Sequence, residues 1–371
     1  MPQVHAQSTP PSPLGLTSRQ YADACAGQGL CSAPAAIQRY ARFFREGPSE
    51  FPDLAPRPLR TLVSESPEGT VTKFLLPVPA GDPATLEHLE TESVIIPMLR
   101  RHETTFTLCV SSQIGCAMGC VFCETAQMGL LRSLTPAEIV AQWYAARHYL
   151  GQPIRNIVFM GMGEPLDNYD NLIQALACLT DHYGPSVGAS RITISTVGRT
   201  DGLRKLADHI RAPGFHKLNL AVSINAPSDD IRSRIMPINR SSPLGELIPI
   251  LESWPMRRSS AICVEYVLIP GVNDAMEHAD ELCLRLRAVR CCVNVIPYNP
   301  RRNSPWPAPD EDLVARFLAR LESRGQFCKR RRTKGRDTMA ACGQLGNEHI
   351  RRRRLVPLGT PTAIPRTTRP A

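Results

Sequence analysis

The chain has 371 residues, a formal net charge of +9, 43% hydrophobic and 21% charged residues. That length holds one large domain, or a large and a small one, around a sizeable core, and the composition is that of a soluble globular protein. No apolar run is long enough to span a bilayer and the N-terminus lacks a basic start followed by an apolar stretch, so membrane and secretory classes are set aside and a cytoplasmic location is expected. The basic balance suits a polyanionic partner such as RNA, although an arginine-rich composition accounts for it equally well. The 13 cysteines are an odd number, and in a cytoplasmic chain clusters of them point to metal or redox chemistry rather than to a disulfide framework.

Residues 1–16 are rich in Pro, Ser and Gln and are expected to be disordered. Residues 17–100 read as a small N-terminal region and a candidate RNA-binding part. It holds two helical stretches, SRQYADACA and AAIQRYARFFREG, then short strands at RTLVSES, VTKFLLPV and SVIIPML, the first two around the turn PEGT. From residue 101 to 347 a regular alternation follows. Apolar, β-branched runs lie at 104–110, 155–162, 191–197, 217–224, 261–269 and 291–297. Helical segments fall between them, the first opened by Thr135, Pro136 and Glu138 as N-cap, N1 and N3 signals, others at 169–181, 200–210, 243–253, 275–288 and 310–323. Strands alternating with helices imply parallel pairing through right-handed crossovers, and six such units make a partial (β/α)6 barrel of the α/β class. A barrel of this kind gathers its chemistry at the C-terminal ends of the strands. Residues 348–371 read as a basic, flexible tail.

The segment CAMGCVFC follows the first barrel strand and spaces Cys116, Cys120 and Cys123 by three and then two residues. A short loop can converge these thiolates on one object. Three cysteines on a 4Fe–4S cluster leave one iron open, free to chelate the amino and carboxylate groups of S-adenosylmethionine (SAM). A zinc site or three buried thiols are the alternatives, and structural zinc wants a fourth ligand that is not evident nearby. The spacing matches the CxxxCxxC pattern of radical-SAM enzymes. After the second strand, GMGEP (161–165) offers two glycines for close backbone approach and the carboxylate of Glu164 for an ammonium group. Ser195, Ser223, Asn225 and Asn299 supply short polar groups at later strand ends, where ordinary capping explains each one taken alone.

Several segments together closely resemble the RlmN/Cfr family of radical-SAM RNA adenine methyltransferases. They are LCVSSQIGCAMGCVFCETAQMGLLRSLTPAEIVAQ, FMGMGEPLDNYDN, RITISTVG, LAVSINAPSDDIRSRIMPINR, EYVLIPGVND, VNVIPYNP and KGRDTMAACGQL, and they extend over roughly residues 85–347. The resemblance implies a 4Fe–4S cluster on Cys116, Cys120 and Cys123, and SAM bound by Gly163, Glu164, Ser195, Ser223, Ile224, Asn225 and Asn299. It implies that Cys342 in AACGQL is methylated by one SAM and converted to a methylene radical by a second, which then adds to an adenine ring carbon. It implies a transient disulfide between Cys109 and Cys342 and makes Glu92 the proton acceptor, with Cys109 a rival for that proton. Expected with it are a ribosomal RNA substrate, transfer RNA as a second one, methylation at C2 with C8 as the alternative, a flavodoxin-like electron donor and a monomeric state. The chain departs from the family pattern at Asn225, where histidine is usual, at Thr338, where isoleucine is usual, and in ISTVG, where STSG or STNG is commoner. The usual helical RNA-binding pattern is absent from the N-terminal region, which implies a different RNA or a different adenine. Two further classes stay open: a non-catalytic iron–sulfur or zinc protein that binds RNA, and radical-SAM chemistry on a small molecule or protein. The run CKRRRTKGR (328–336) reads either as phosphate contacts or as a solvated charged surface.

Overall fold

The computed structural model describes residues 11–49, 51–52, 54–79, 89–100 and 103–347. The chain opens with helices α1 (Ser18–Gly27) and α2 (Ala33–Glu46), followed by strands β1 (Arg60–Ser66), β2 (Gly69–Val78), β3 (Leu89–Arg100) and β4 (Glu103–Cys109). A small hairpin, β5 (Gln113–Gly115) and β6 (Leu130–Ser133), brackets the short helix α3 (Glu124–Met128). The alternation then runs α4 (Pro136–Tyr144), β7 (Ile154–Phe159), α5 (Tyr169–Thr180), β8 (Ile192–Thr196), α6 (Thr200–His209) and β9 (Asn219–Ser223). It continues through α7 (Asp229–Ile235), α8 (Leu244–Glu252), β10 (Ile262–Leu268), α9 (Met276–Leu286), β11 (Cys291–Pro297), α10 (Glu311–Ser323) and β12 (Cys328–Arg330).

Ten strands form one sheet in the order β1-β2-β3-β4-β7-β8-β9-β10-β11-β12. From β4 to β12 every pairing is parallel, as the crossover helices demand. The six apolar runs of the sequence become β4 and β7 to β11. A seventh, three-residue strand, β12, extends the barrel edge. Parallel strands are covered on both faces and are correspondingly apolar: Ile157, Ile192, Ile194, Val222, Val264 and Val293 are all fully buried.

Helix α4 begins as its sequence predicts. The Thr135 hydroxyl accepts from the Glu138 amide and the Glu138 carboxylate accepts from the Thr135 amide, with Pro136 at the first turn. The N-terminal helices pack on this element through aromatic rings, Phe43 stacking on Tyr144 at 4.6 Å between centroids. Residues 11–16, expected to be disordered, are instead tied to this layer. Leu14 is buried in a 3-10 turn, the Gly15 carbonyl accepts from Gln174 and the Leu16 carbonyl accepts from the Tyr40 hydroxyl. One buried leucine and two satisfied carbonyls outweigh a Pro/Ser-rich composition. Residues 1–10 and the tail at 348–371 lie outside the described residues.

Strands β1, β2 and β3 join the barrel sheet antiparallel at β4 rather than forming a sheet of their own. The basic run at 328–336 is largely consumed by internal contacts. Arg330 pairs with Glu311, Arg331 with Glu265, and Lys334 with Glu68 and the Pro97 carbonyl. Lys329, Arg330, Arg332 and Arg336 of the run are nevertheless exposed. Among the described residues no helix is long and apolar enough to cross a membrane.

Candidate active site

The C-terminal ends of the parallel strands enclose one cavity. Cys116, Cys120, Cys123, Gly163, Glu164, Ser195, Ser223, Asn225, Asn299 and Cys342 all line it, so residues that span more than two hundred positions meet at one place. Three of the expected site residues do not line it. Ile224 is fully buried in the core, and its carbonyl accepts from Arg232 Nε. Cys109 is buried at the end of β4. Glu92 lies on β3, buried against the opposite side of the Cys342 loop.

The cluster loop is held by its backbone. The Cys116 amide donates to the Gly129 carbonyl, Val121 to Ile235 and Cys123 to Cys120, at 2.9, 3.0 and 3.1 Å. Burial pushes all three thiols up, Cys116 well above the ordinary range, and the neighbouring cysteines add to the rise for Cys116 and Cys120. Among the described residues no three His, Cys, Asp or Glu side chains close on a point fit for a single metal ion. The three thiols nevertheless share one cavity, and this arrangement suits a cluster, where each thiolate takes a different iron, better than it suits zinc.

Glu164 is fully buried at the end of the loop after β7, where it caps a 3-10 turn, and burial raises its carboxyl to about 7 against the pull of backbone hydrogen bonds. One oxygen accepts from the Leu166 amide at 3.0 Å and the other from Val197 at 2.8 Å. A carboxylate has further lone pairs, so it can still receive an ammonium group. The glycines before it serve the protein first. A Cβ on Gly161 would sit 2.6 Å from the Val110 carbonyl oxygen, and one on Gly163, at φ +98°, would sit 2.5 Å from the Gln113 Cβ.

Asn225 adopts a left-handed backbone, φ 57°, which asparagine tolerates better than most residues. Its side chain is occupied: Oδ1 accepts from the Val267 amide at 2.8 Å and Nδ2 faces the Met236 sulfur at 3.2 Å. The residue that stands where the family has histidine therefore braces β10 from the end of β9.

The loop that carries Cys342 is sewn to the cluster loop. The Glu124 amide donates to the Gly343 carbonyl at 2.7 Å, the Thr125 hydroxyl to Leu345 at 2.6 Å and Asn299 Nδ2 to the Cys342 carbonyl at 3.4 Å. Cys342 is half-buried, and burial raises its thiol while the Arg331 guanidinium lowers it. Cys109 is pushed up to about 12, by burial first and then by Cys342. Both cysteines are free thiols here. Glu92 forms a buried ion pair with Lys73 at 2.8 Å and accepts from the Gly346 amide at 3.1 Å.

Two charged residues of this site were not singled out from the sequence. Glu265 lines the cavity and pairs with Arg331 at 2.8 Å. Glu265 had a visible signal, a charge inside the apolar run AICVEYVLI. Arg331 had none, because it follows a strand of only three residues.

Comparison with known proteins agrees with this geometry. The family model of the Radical SAM superfamily matches residues 110–283. The crystal structure of a radical SAM methyltransferase from Sphaerobacter thermophilus superposes with a TM-score of 0.78 at 36% identity, covering 89% of this chain and 98% of that one. Fold and site thus define a radical-SAM protein. A probable dual-specificity RNA methyltransferase RlmN 1 from Protochlamydia amoebophila is 43% identical over 77% of this chain and 76% of its own. The dual-specificity RNA methyltransferase RlmN of Syntrophotalea carbinolica is 43% identical over 70% of this chain and 67% of its own. The chain belongs to the RlmN family.

Proposed function

We propose that the chain is an RNA methyltransferase that places a methyl group on an adenine ring carbon, C2, of ribosomal RNA and, as a second substrate, of transfer RNA. The observation that carries this reading is the position of Cys342. A thiol on a loop from the far end of the chain lines the same cavity as Cys116, Cys120 and Cys123 and is bonded to their loop through Glu124 and Thr125. A protein that only bound iron or RNA would have no use for it.

In this reading Cys116, Cys120 and Cys123 hold a 4Fe–4S cluster, and Gly163, Glu164, Ser195, Ser223, the Ile224 backbone, Asn225 and Asn299 hold SAM. With cluster and SAM bound, the site is supplied with a methyl group and with a 5′-deoxyadenosyl radical. The chain's own groups do the rest. Cys342 takes the methyl group on sulfur and presents it to the base. An adenine ring carbon is too poor a nucleophile to displace a methyl from SAM directly, which is why a carbon held on Cys342 and activated as a radical is needed. Glu92, paired with Lys73, receives the ring proton, and Cys109 closes a disulfide onto Cys342 as the product leaves. Residues 17–100 take the RNA, and the positive net charge supports a polyanionic substrate. The enzyme acts as a cytoplasmic monomer with a flavodoxin-like reductant.

Mass spectrometry of nucleosides from ribosomal and transfer RNA, compared between cells with and without the protein, tests this reading. A 2-methyladenosine that depends on the protein and on Cys342 is expected. A protein-dependent 8-methyladenosine would move the reaction to C8. No change in either RNA from a protein that holds its cluster and cleaves SAM would overturn the RNA assignment.

A further inference from the structure

Helix α7 starts at Ser228, whose hydroxyl caps the Ile231 amide, and turns Arg232 inward. Arg232 has no exposed surface. Its Nε donates to the Ile224 carbonyl at 3.1 Å, Nη1 to Asn239 Oδ1 at 2.7 Å and the Ser242 carbonyl at 3.1 Å, and Nη2 to the Val197 and Ser223 carbonyls at 2.5 and 3.2 Å. These bonds fasten together the ends of β8 and β9, where Ser195, Ser223 and Asn225 face the cavity.

Every one of those acceptors is neutral. A buried guanidinium satisfied in hydrogen bonds but not in charge is costly, and two other cations near the site are handled differently: buried Lys73 has Glu92 and half-buried Arg331 has Glu265. Burial lowers the Arg232 pKa to about 10, and the leading influence that opposes this is the Cys120 thiol, ahead of Asp229. Asp229 is engaged elsewhere, accepting from the Leu244 amide at 2.8 Å. Arg232 is also mechanically tied to the cluster loop, since the Val121 amide donates to Ile235 at the end of its helix. A second buried arginine without a carboxylate partner among the described residues, Arg301, donates to the Val121 carbonyl at 2.8 Å. Arg301 thus bonds directly to the loop of Cys120 and Cys123, and Arg232 is joined to it through the Val121–Ile235 bond at the end of its helix.

We propose that the missing counter-charge of Arg232 is the anionic, thiolate-bound cluster, which makes Arg232 a positioning residue that fixes the SAM-facing strand ends and raises the cluster's reduction potential. The inference rests on the reading that Cys116, Cys120 and Cys123 hold a cluster. A nearby positive charge stabilises the reduced, more negative state, and net charge around a cluster is among the determinants of its potential.

The test uses the full chain, purified and reconstituted with iron and sulfide without oxygen, as wild type, R232M, R232K and N239D. Iron per chain, the cluster midpoint potential from a redox titration followed by electron paramagnetic resonance, and the SAM dissociation constant are measured. R232M is expected to lower the potential and weaken SAM binding about tenfold, the loss of a net hydrogen bond or two. R232K keeps the charge but has fewer donors, so it holds the wild-type potential while binding SAM more weakly. N239D puts a carboxylate beside the intact guanidinium and lowers the potential without removing Arg232, which keeps the test sound if R232M does not fold. Wild-type potentials in cluster-loaded R232M or N239D would overturn the proposal. A wild-type chain that takes up no iron would overturn the cluster reading beneath it instead.

Discussion

The two loops that meet at the cavity are held in different ways. The cluster loop, between β5 and β6, is closed on itself by the main-chain bonds Cys116 to Gly129 and Cys123 to Cys120, and Val121 ties it to the end of α7 at Ile235. The Cys342 loop is clamped from two sides. The cluster loop holds Gly343 and Leu345, while the antiparallel strands β1 to β3 hold the approach: Ser64 donates to Asp337, Lys73 to the Met339 carbonyl, Lys334 to Pro97, and Glu92 accepts from Gly346. The lesson is that β1 to β3 are part of the active-site scaffold. In the proposed mechanism the Cys342 thiol meets two partners in turn, and its loop rests on the antiparallel extension of the sheet as well as on the cluster loop.

This contrast can be broken from either side. The largest effect is expected at the barrel loop, where Cys116→Ala should reduce iron content and SAM cleavage to background, measured by iron assay and by 5′-deoxyadenosine release. Lys73→Met strikes the platform. It strands a buried Glu92 charge and should cost about 3–5 kcal/mol in chemical denaturation, while the double replacement Lys73→Met with Glu92→Leu should recover most of that loss. Because the Glu92 carboxylate accepts from Gly346 in the Cys342 loop and is the proposed acceptor of the ring proton, the double variant should keep SAM cleavage and lose methyl transfer to RNA. The smallest effect is expected far from both loops. Thr135→Ala removes one N-cap of α4 and should cost about 1 kcal/mol, read as a lowered denaturation midpoint with catalysis unchanged.

The barrel was legible because its signals are local. Each strand is an apolar run, and the capping box at Thr135 and Glu138 marks a helix start within four residues of chain. The cysteine triplet is equally local, and the strand ends placed Glu164, Ser195, Ser223 and Asn299 at the cavity. What the sequence concealed depends on distant partners. Nothing near Glu92 announces Lys73, nothing near Asn225 shows that its side chain is taken by Val267, and Arg331 sits beyond a strand too short to carry a periodic pattern. The resemblance to the RlmN/Cfr family supplied Cys109 and Cys342, which in isolation read as buried cysteines. The glycines at 161 and 163 were legible as positions of close approach, but the neighbour that requires them is the β5 side of the protein's own chain.

The central claim is that Cys342 carries the methyl group. Its most direct test is mass spectrometry of the Cys342 peptide from protein purified with its cluster and incubated with SAM bearing a deuterated methyl group. One labelled methyl group on the Cys342 sulfur is the expected result. RNA methylation by a protein whose Cys342 never carries a methyl group would contradict it.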